Sequence, residues 1–188
     1  MVDVVEIKTE RLVLKKMSMK DLEDYAIWHS QESFFTFISG RPLNKKESKK
    51  ELKTFVKMYK QKRKQKLVWG IYFDKRLIGC LYVNRFSSKN KCCEIGWTLN
   101  GDYTKKGFAF ESAKVLMSYL FKQMGINKIS AMIWHENLDS IKLAEKLGFV
   151  LEGTERQARI KNEKVFDVLH YGILKSEFEE KQKNVDNE

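Results

Sequence analysis

The chain has 188 residues, 43% of them hydrophobic, and a single proline, which suits one domain with a sizeable core and excludes a disordered or Pro-rich linker protein. Its 36 Lys and Arg against 25 Asp and Glu give a formal net charge of +11, which points to a basic face or a polyanionic partner. No apolar run approaches the roughly 20 residues of a membrane span, and the charged opening "MVDVVEIKTERL" does not read as a secretory signal, so the expected location is cytoplasmic.

The segment "EIKTERLVLKKM" (6–17) reads as a first strand. Ser18 and Asp21 then form a capping-box start for a helix over "LEDYAIWHS". The stretch around and after it carries Tyr25, Trp28, Phe34, Phe35 and Phe37, divided between core packing and the wall of a pocket. Asn44 and Glu47 repeat the capping signature. They open a segment, 44–66, with eleven lysines and arginines against two glutamates and with Leu52, Phe55, Val56 and Tyr59 on one helical stripe. Its outer face is either a solvated basic surface or a docking face for RNA or an acidic partner. No aromatic RNA-platform motif accompanies it.

Beyond residue 66 the period changes. Residues 67–86 read as a hairpin and "KCCEIGWTLN" as a further strand. A helix follows from about Gly107 to Gln123, with Ala109, Ala113, Leu116, Met117, Leu120 and Met124 facing inward. "KISAMIWH" is the next strand. "NLDSIKLAEKLG" is a short helix capped by Asn137 and stopped by Gly148. "FVLEGTERQARI" and "VFDVLHYGIL" make a last hairpin, and the polar "EEKQKNVDNE" is expected to fray. Cys80, Cys92 and Cys93 have neither disulfide nor zinc spacing. Reduced buried thiols and no metal are therefore expected, and His29, His135 and His170 offer no base that the sequence sets beside a cysteine.

The order β, α, α, β, β, β, α, β, α, β, β describes an α/β mixed sheet with helices on both faces. Within it, the unit from "EIGWTLN" to "KISAMIWH" is strand, loop, helix, strand, so a right-handed crossover makes its two strands parallel. A ligand is expected at the carboxyl ends of such strands, beside the helix N-terminus, where "TKKGFA" (104–109) lies. Free helix amides, Gly107, Lys105 and Lys106 suit a phosphate there. The stretch lacks both GxxxxGK[ST] and GxGxxG. By local chemistry alone it is an anion cradle or a plain helix start.

Three stretches together resemble the GNAT superfamily of acyl-CoA N-acyltransferases: "TERLVLKKMSMKDLEDY", "EIGWTLNGDYTKKGFAFESAKVL" and "HENLDSIKLAEKLGFVLEG". Within it they resemble the subgroup of ribosomal-protein N-terminal acetyltransferases. The resemblance implies one such domain over residues 1–180, a mostly antiparallel sheet with a parallel pair at the CoA cleft, and acetyl-CoA as co-substrate. It implies direct attack of an amine on the thioester. The family's loop pattern, Gln/Arg-x-x-Gly-x-Gly/Ala, falls on Thr104, Lys105, Lys106, Gly107, Phe108 and Ala109. Gly107 and Ala109 match it, Thr104 departs from it, and Lys105 stands where close relatives often carry glycine. By the same resemblance, the backbone of Trp97, Thr98 and Leu99 contacts the pantetheine and acetyl groups, and Asn137 contacts the CoA arm. Ser140 matches a serine beside the sulfur, able to protonate the leaving thiolate or to hold the water that does. Ala144 occupies the position where many relatives place a tyrosine acid. Glu94 is the candidate general base, with Glu152 behind it, or else an ordinary strand carboxylate pairing a lysine. Trp28 and Phe35 are the candidate acceptor contacts. The acceptor implied is a primary amine, either a protein N-terminus or a small amine. The competing reading is a non-catalytic CoA-binding or anion-binding module docked on RNA or an acidic partner. Oligomeric state is not legible.

Overall fold

The computed structural model describes residues 3–61 and 66–186. In place of one strand over 6–17, the chain forms two short antiparallel strands, β1 (Ile7–Lys8) and β2 (Val13–Lys15). Thr9 causes the break: its backbone N–H donates to Leu12 O at 2.9 Å, and its hydroxyl accepts from Leu12 N–H at 2.9 Å. The two capping boxes form as their residues dictate. Ser18 and Asp21 open a 3-10 turn that leads into α1 (Leu22–His29), and Asn44 with Glu47 opens α2 (Lys45–Met58). The most basic stretch of the segment, residues 62–65, lies outside the described residues.

β3 (Leu67–Phe73) and β4 (Arg76–Ser87) form the expected hairpin. Its two turn residues, Asp74 and Lys75, have φ of 46° and 66°, as a two-residue hairpin turn requires. Next come β5 (Cys92–Leu99), α3 (Phe108–Lys122), β6 (Lys128–Trp134), α4 (Leu138–Leu147), β7 (Val150–Lys161) and β8 (Lys164–Leu174). Of the C-terminal segment expected to fray, residues 179–186 are helical, within α5 (Lys175–Asp186), and residues 187–188 lie outside the described residues. Phe178 anchors α5, 3% exposed and 5.1 Å from the Phe121 ring. One aromatic amid polar residues left no periodic stripe to read.

The eight strands lie in the order β1-β2-β3-β4-β5-β6-β8-β7. Every neighbouring pair is antiparallel except β5–β6, which is parallel through the α3 crossover. The larger core lies on the α3/α4 face, where Leu116, Met117, Leu120 and Phe121 pack with Trp69, Ile95 and Ile129. Within the α3 stripe, Phe108, Ser112 and Phe121 are buried, whereas Ala109 and Met124 are only partly so. The α1/α2 face buries Tyr25, Trp28 and Leu52 against Val68, Tyr72 and Cys80. Among the described residues no helix is long and apolar enough to cross a membrane.

Candidate active site

The site begins where the parallel pair comes apart. β5 and β6 share register only at Cys92↔Lys128, Cys93↔Ile129 and Glu94↔Ser130. From Ile95 to Leu99, β5 stays paired to β4 alone, as far as Gly79↔Leu99. The backbone groups of this stretch that face β6 therefore lack ladder partners, although strands normally satisfy both edges. A cavity of about 440 Å³ occupies the opening. It is lined by Trp97, Thr98 and Leu99 of β5, by the loop before α3, and by Asn137 and Ser140 at the start of α4.

The loop is built for backbone exposure. Asn100 Oδ1 accepts from Asp102 N–H at 3.2 Å, and a 3-10 turn runs over Gly101–Tyr103. Thr104 turns its hydroxyl back to donate to Gly101 O at 2.8 Å, so it braces the turn. Lys105 and Gly107 both have left-handed backbone, with φ of 59° and 82°. Such alternation turns successive amides toward one side. Lys105 thus adopts at a steric cost the conformation that a glycine would adopt freely. The first helical bond of α3 runs from Glu111 N–H to Gly107 O, leaving the amides of Phe108, Ala109 and Phe110 without helical partners. These free amides, the helix dipole and the Lys105 side chain at the cavity suit an anionic pyrophosphate. Lys106, by contrast, is turned away: its Nζ donates to Asp102 O at 2.9 Å and lies over the Tyr103 ring.

A brace that the sequence reading did not identify holds the loop from behind. Arg11 donates to Lys106 O at 3.1 Å and pairs with Glu111 at 2.6 Å, with its guanidinium 4.6 Å from the Phe108 ring centre. Thr9 adds a hydrogen bond to the same carboxylate. These contacts span about a hundred positions, and no local pattern announces them.

Across the cavity, Asn137 Oδ1 accepts from Ser140 N–H at 3.2 Å, so Asn137 caps α4 and lines the cavity at once. Trp97 Nε1–H donates to Ser140 Oγ at 3.3 Å. That bond occupies an acceptor lone pair of the serine and leaves its O–H to donate elsewhere. Ala144 is fully buried behind Ser140.

The two candidate bases, Glu94 and Glu152, stand apart from this cluster, whereas Asp139 lines the cavity. Glu94 sits at the paired end of β5, on the same sheet face as Thr98, with Arg85 Nη1 3.4 Å away. Four residues separate it from Thr98, about 13 Å along a strand. Glu152 pairs with Lys128 at 2.6 Å and does not line the cavity. Trp28, expected at the acceptor wall, is instead 0% exposed in the α1/α2 core. Phe35 is buried too, beneath Gly40. From this segment the residues that do line the cavity include the aromatics Phe34 and Phe37, together with Gln31. Their spacing of three is that of the 3-10 turn at Glu32–Phe35, so a three-residue period in this stretch was the signal to follow. Lys161, at the end of β7, clips this segment down by donating to Phe35 O and Ile38 O.

Burial pushes the Cys80 and Cys93 thiols up to about 12. Burial also lowers His29, stacked 3.7 Å from the Tyr25 ring, to about 4. Among the described residues no hydrogen bond joins a histidine to a cysteine, and no three His, Cys, Asp or Glu side chains are grouped to hold a metal. The cavity instead offers backbone donors for an anion and a serine beside an open strand.

Comparison with known proteins agrees with this arrangement. Residues 11–150 match the family model described as "Acetyltransferase (GNAT) domain". The chain is 29% identical over 172 residues to an uncharacterized N-acetyltransferase, YoaA, of Bacillus subtilis (strain 168), covering 90% of this chain and 96% of that one. It is 27% identical over 104 residues to the ribosomal-protein-serine acetyltransferase of Escherichia coli (strain K12), covering 55% of this chain and 58% of the relative. Its fold is similar, with a TM-score of 0.81 and 18% identity, to RimL, a ribosomal L7/L12 alpha-N-protein acetyltransferase solved with coenzyme A; 90% of this chain and 98% of that one superpose. The chain belongs to the acetyltransferase (GNAT) domain family and is an acetyl-CoA-dependent N-acetyltransferase.

Proposed function

We propose that the chain acetylates a protein N-terminus, with acetyl-CoA and the acceptor amine bound together and the amine attacking the thioester directly. The observation that carries this reading is the opening between β5 and β6, with the free amides of α3 at one end and Ser140 at its side. In this reading the amides of Phe108, Ala109 and Phe110 hold the pyrophosphate, assisted by Lys105. The unpaired edge of Trp97, Thr98 and Leu99 receives the pantetheine as an added strand would be received, and orients the acetyl oxygen toward a donor. Asn137 holds the CoA arm. Ser140, its lone pair engaged by Trp97, gives a proton to the leaving sulfur. Glu94 takes the amine's proton through water along the face that Gly96 leaves open. The acceptor enters between the Gln31–Phe34–Phe37 wall and the β7–β8 hairpin.

A protein N-terminus is favoured as acceptor by the E. coli relative, a ribosomal-protein-serine acetyltransferase, and by RimL, a ribosomal L7/L12 alpha-N-protein acetyltransferase. A broad mouth walled by Phe34, Phe37 and Ile38 also suits an extended peptide with a small apolar residue near its end. A cytoplasmic location accords with three free cysteines. The test is a screen of peptides with free N-terminal Ser, Ala or Met, beside small amines, read by mass spectrometry with release of free CoA. Acetylation of peptide α-amines above the small amines is expected. Preference for a small amine would replace the proposed acceptor. Binding of acetyl-CoA with no transfer to any amine would favour a non-catalytic module, a reading to which Thr104 adds a hydroxyl already spent on Gly101 O although the residue lines the cavity.

A further inference from the structure

The segment between α1 and α2 reaches across the molecule, and its far end is fastened by one lysine. At its root, Leu43 N–H donates to His29 O at 2.8 Å, so residues 30–42 leave α1 and return to it as a compact loop. Phe34 packs at this root, its ring centre 5.1 Å from that of Trp28 and 4.7 Å from that of His29. Gln31 Oε1 lies beside Gly101, just after β5. The tip goes the other way: Phe37 packs on the cluster of Trp134 from β6 with Phe166 and Val168 from β8. The loop therefore joins the two sides of the sheet that part at the β5–β6 opening, and Phe34, Phe37 and Ile38 line the cavity between them. Lys161 holds the tip. Its ammonium donates to Phe35 O and, at 3.0 Å, to Ile38 O, carbonyls 126 and 123 positions away. Among the described residues Lys161 pairs with no carboxylate, so its charge serves these two carbonyls. It projects from a defined frame, because Asn162 and Glu163, with φ of 48° and 63°, close β7 and β8 in a two-residue hairpin turn.

We propose that Lys161 is a positioning residue for the acceptor: by clasping the loop tip to the β7–β8 hairpin, it fixes Phe37 and Ile38 at the mouth of the cavity and so sets which first residue of a peptide reaches the thioester. This rests on the N-acetyltransferase reading of the cavity and on a peptide acceptor. With the clasp shut, the apolar wall cannot retreat, and a small first residue fits beside it where a bulky one meets Phe37. With the clasp gone, the tip is held by the packing of Phe37 alone. The mouth then yields to a bulky residue and holds a small one less well, the discrimination that an apolar pocket of fixed shape provides. Lys161 does not line the cavity, and its recorded contacts are with neither the loop before α3 nor α4. The binding of acetyl-CoA is therefore independent of it.

The test compares wild type, Lys161→Met and Lys161→Arg in the full chain on two peptides that differ only in a first residue of Ser or Phe. For Lys161→Met, KM for the Ser peptide is expected to rise about tenfold, as for a lost charge-assisted hydrogen bond, with kcat and the Kd for acetyl-CoA within about threefold of wild type. Its preference for Ser over Phe should narrow by about tenfold, within the range that an apolar pocket provides. Lys161→Arg, which can still donate to both carbonyls, should restore KM and preference. Chymotryptic cleavage after Phe37, which needs no acceptor, should speed up in Lys161→Met and return to the wild-type rate in Lys161→Arg. Lys161→Gln, with a neutral donor, carries the same comparison if Lys161→Met does not fold. Unchanged cleavage after Phe37 overturns the clasp. Faster cleavage with KM and preference unchanged, or an equal loss of kcat on both peptides without rescue by arginine, overturns its role in selecting the acceptor. Wild-type protein that binds no acetyl-CoA or acetylates neither peptide overturns the reading of the cavity, and the selection with it, whatever the cleavage rates.

Discussion

At the scale of single residues, the Trp97–Ser140 contact decides the most about chemistry. An indole N–H can only donate, so the 3.3 Å bond fixes the serine oxygen as acceptor and aims its hydroxyl proton elsewhere. Ser140→Ala should therefore lower kcat by about 10²-fold, in the range of a lost general acid, while the Kd for acetyl-CoA by calorimetry stays within about threefold. Trp97→Phe keeps most of the packing against Phe149 and removes only the donor, so a smaller fall is expected. A kcat for Ser140→Ala within about twofold of wild type would assign the thiolate proton to solvent. Residue scale is also where sequence reading was weakest. Ser140 was nominated only by its place in a family pattern. Its partner lies 43 positions away, on the far side of an opening that no periodicity reveals. Trp28 illustrates the converse error: an aromatic near a presumed pocket lies wholly in the core, because α1 turns that face onto the sheet.

At the scale of elements, what was legible was what neighbours in sequence determine. Ser18 with Asp21 and Asn44 with Glu47 satisfy their own helix starts, so the starts of α1 and α2 were readable within a residue or two, whereas α2 ends at Met58, short of the basic segment that reads on to residue 66. Elements held by distant partners were not. The Thr9 turn that splits the first strand also serves Glu111, and α5 depends on one phenylalanine meeting Phe121. The loop before α3 combines both kinds: its turn residues are local, and its brace, Arg11, is remote. Gly107 joins the two. Its φ of 82° favours glycine, and a Cβ there would meet Arg11 Nη2 at 3.3 Å. Gly107→Ala is expected to cost about 1–2 kcal/mol from the left-handed backbone alone, seen as a lowered midpoint in urea. Because the same strain rotates the free amides, affinity for acetyl-CoA should fall about tenfold, roughly 1.4 kcal/mol. A variant that loses stability yet binds acetyl-CoA as tightly as wild type would show that these amides do not hold the pyrophosphate.

At the scale of the molecule, the charge is arranged to leave the cleft open and one flank strongly basic. On α2, Glu47 is occupied by Arg41 at 2.6 Å, and the Glu51 carboxylate is turned inward, which removes both of the helix's acids from its outer face. Lys46, Lys49, Lys50, Lys53 and Lys57 remain exposed on it. A face of this kind binds a polyanion by releasing counterions, with little demand on sequence. Docking near ribosomal RNA would bring an N-terminal substrate to the cleft without any change in the cleft itself. Wild-type protein should then bind an RNA hairpin in gel-shift or anisotropy titrations with an affinity that falls about 10²-fold between about 50 and 200 mM salt, the slope for about four neutralised phosphates. Reversing Lys46, Lys49, Lys50 and Lys53 to Glu should abolish that binding, while acetylation of a free peptide stays near the wild-type rate, because none of the four lines the cavity. Loss of peptide acetylation in the reversed variant would instead tie the basic face to the cleft, and a salt-independent affinity would remove RNA as its partner.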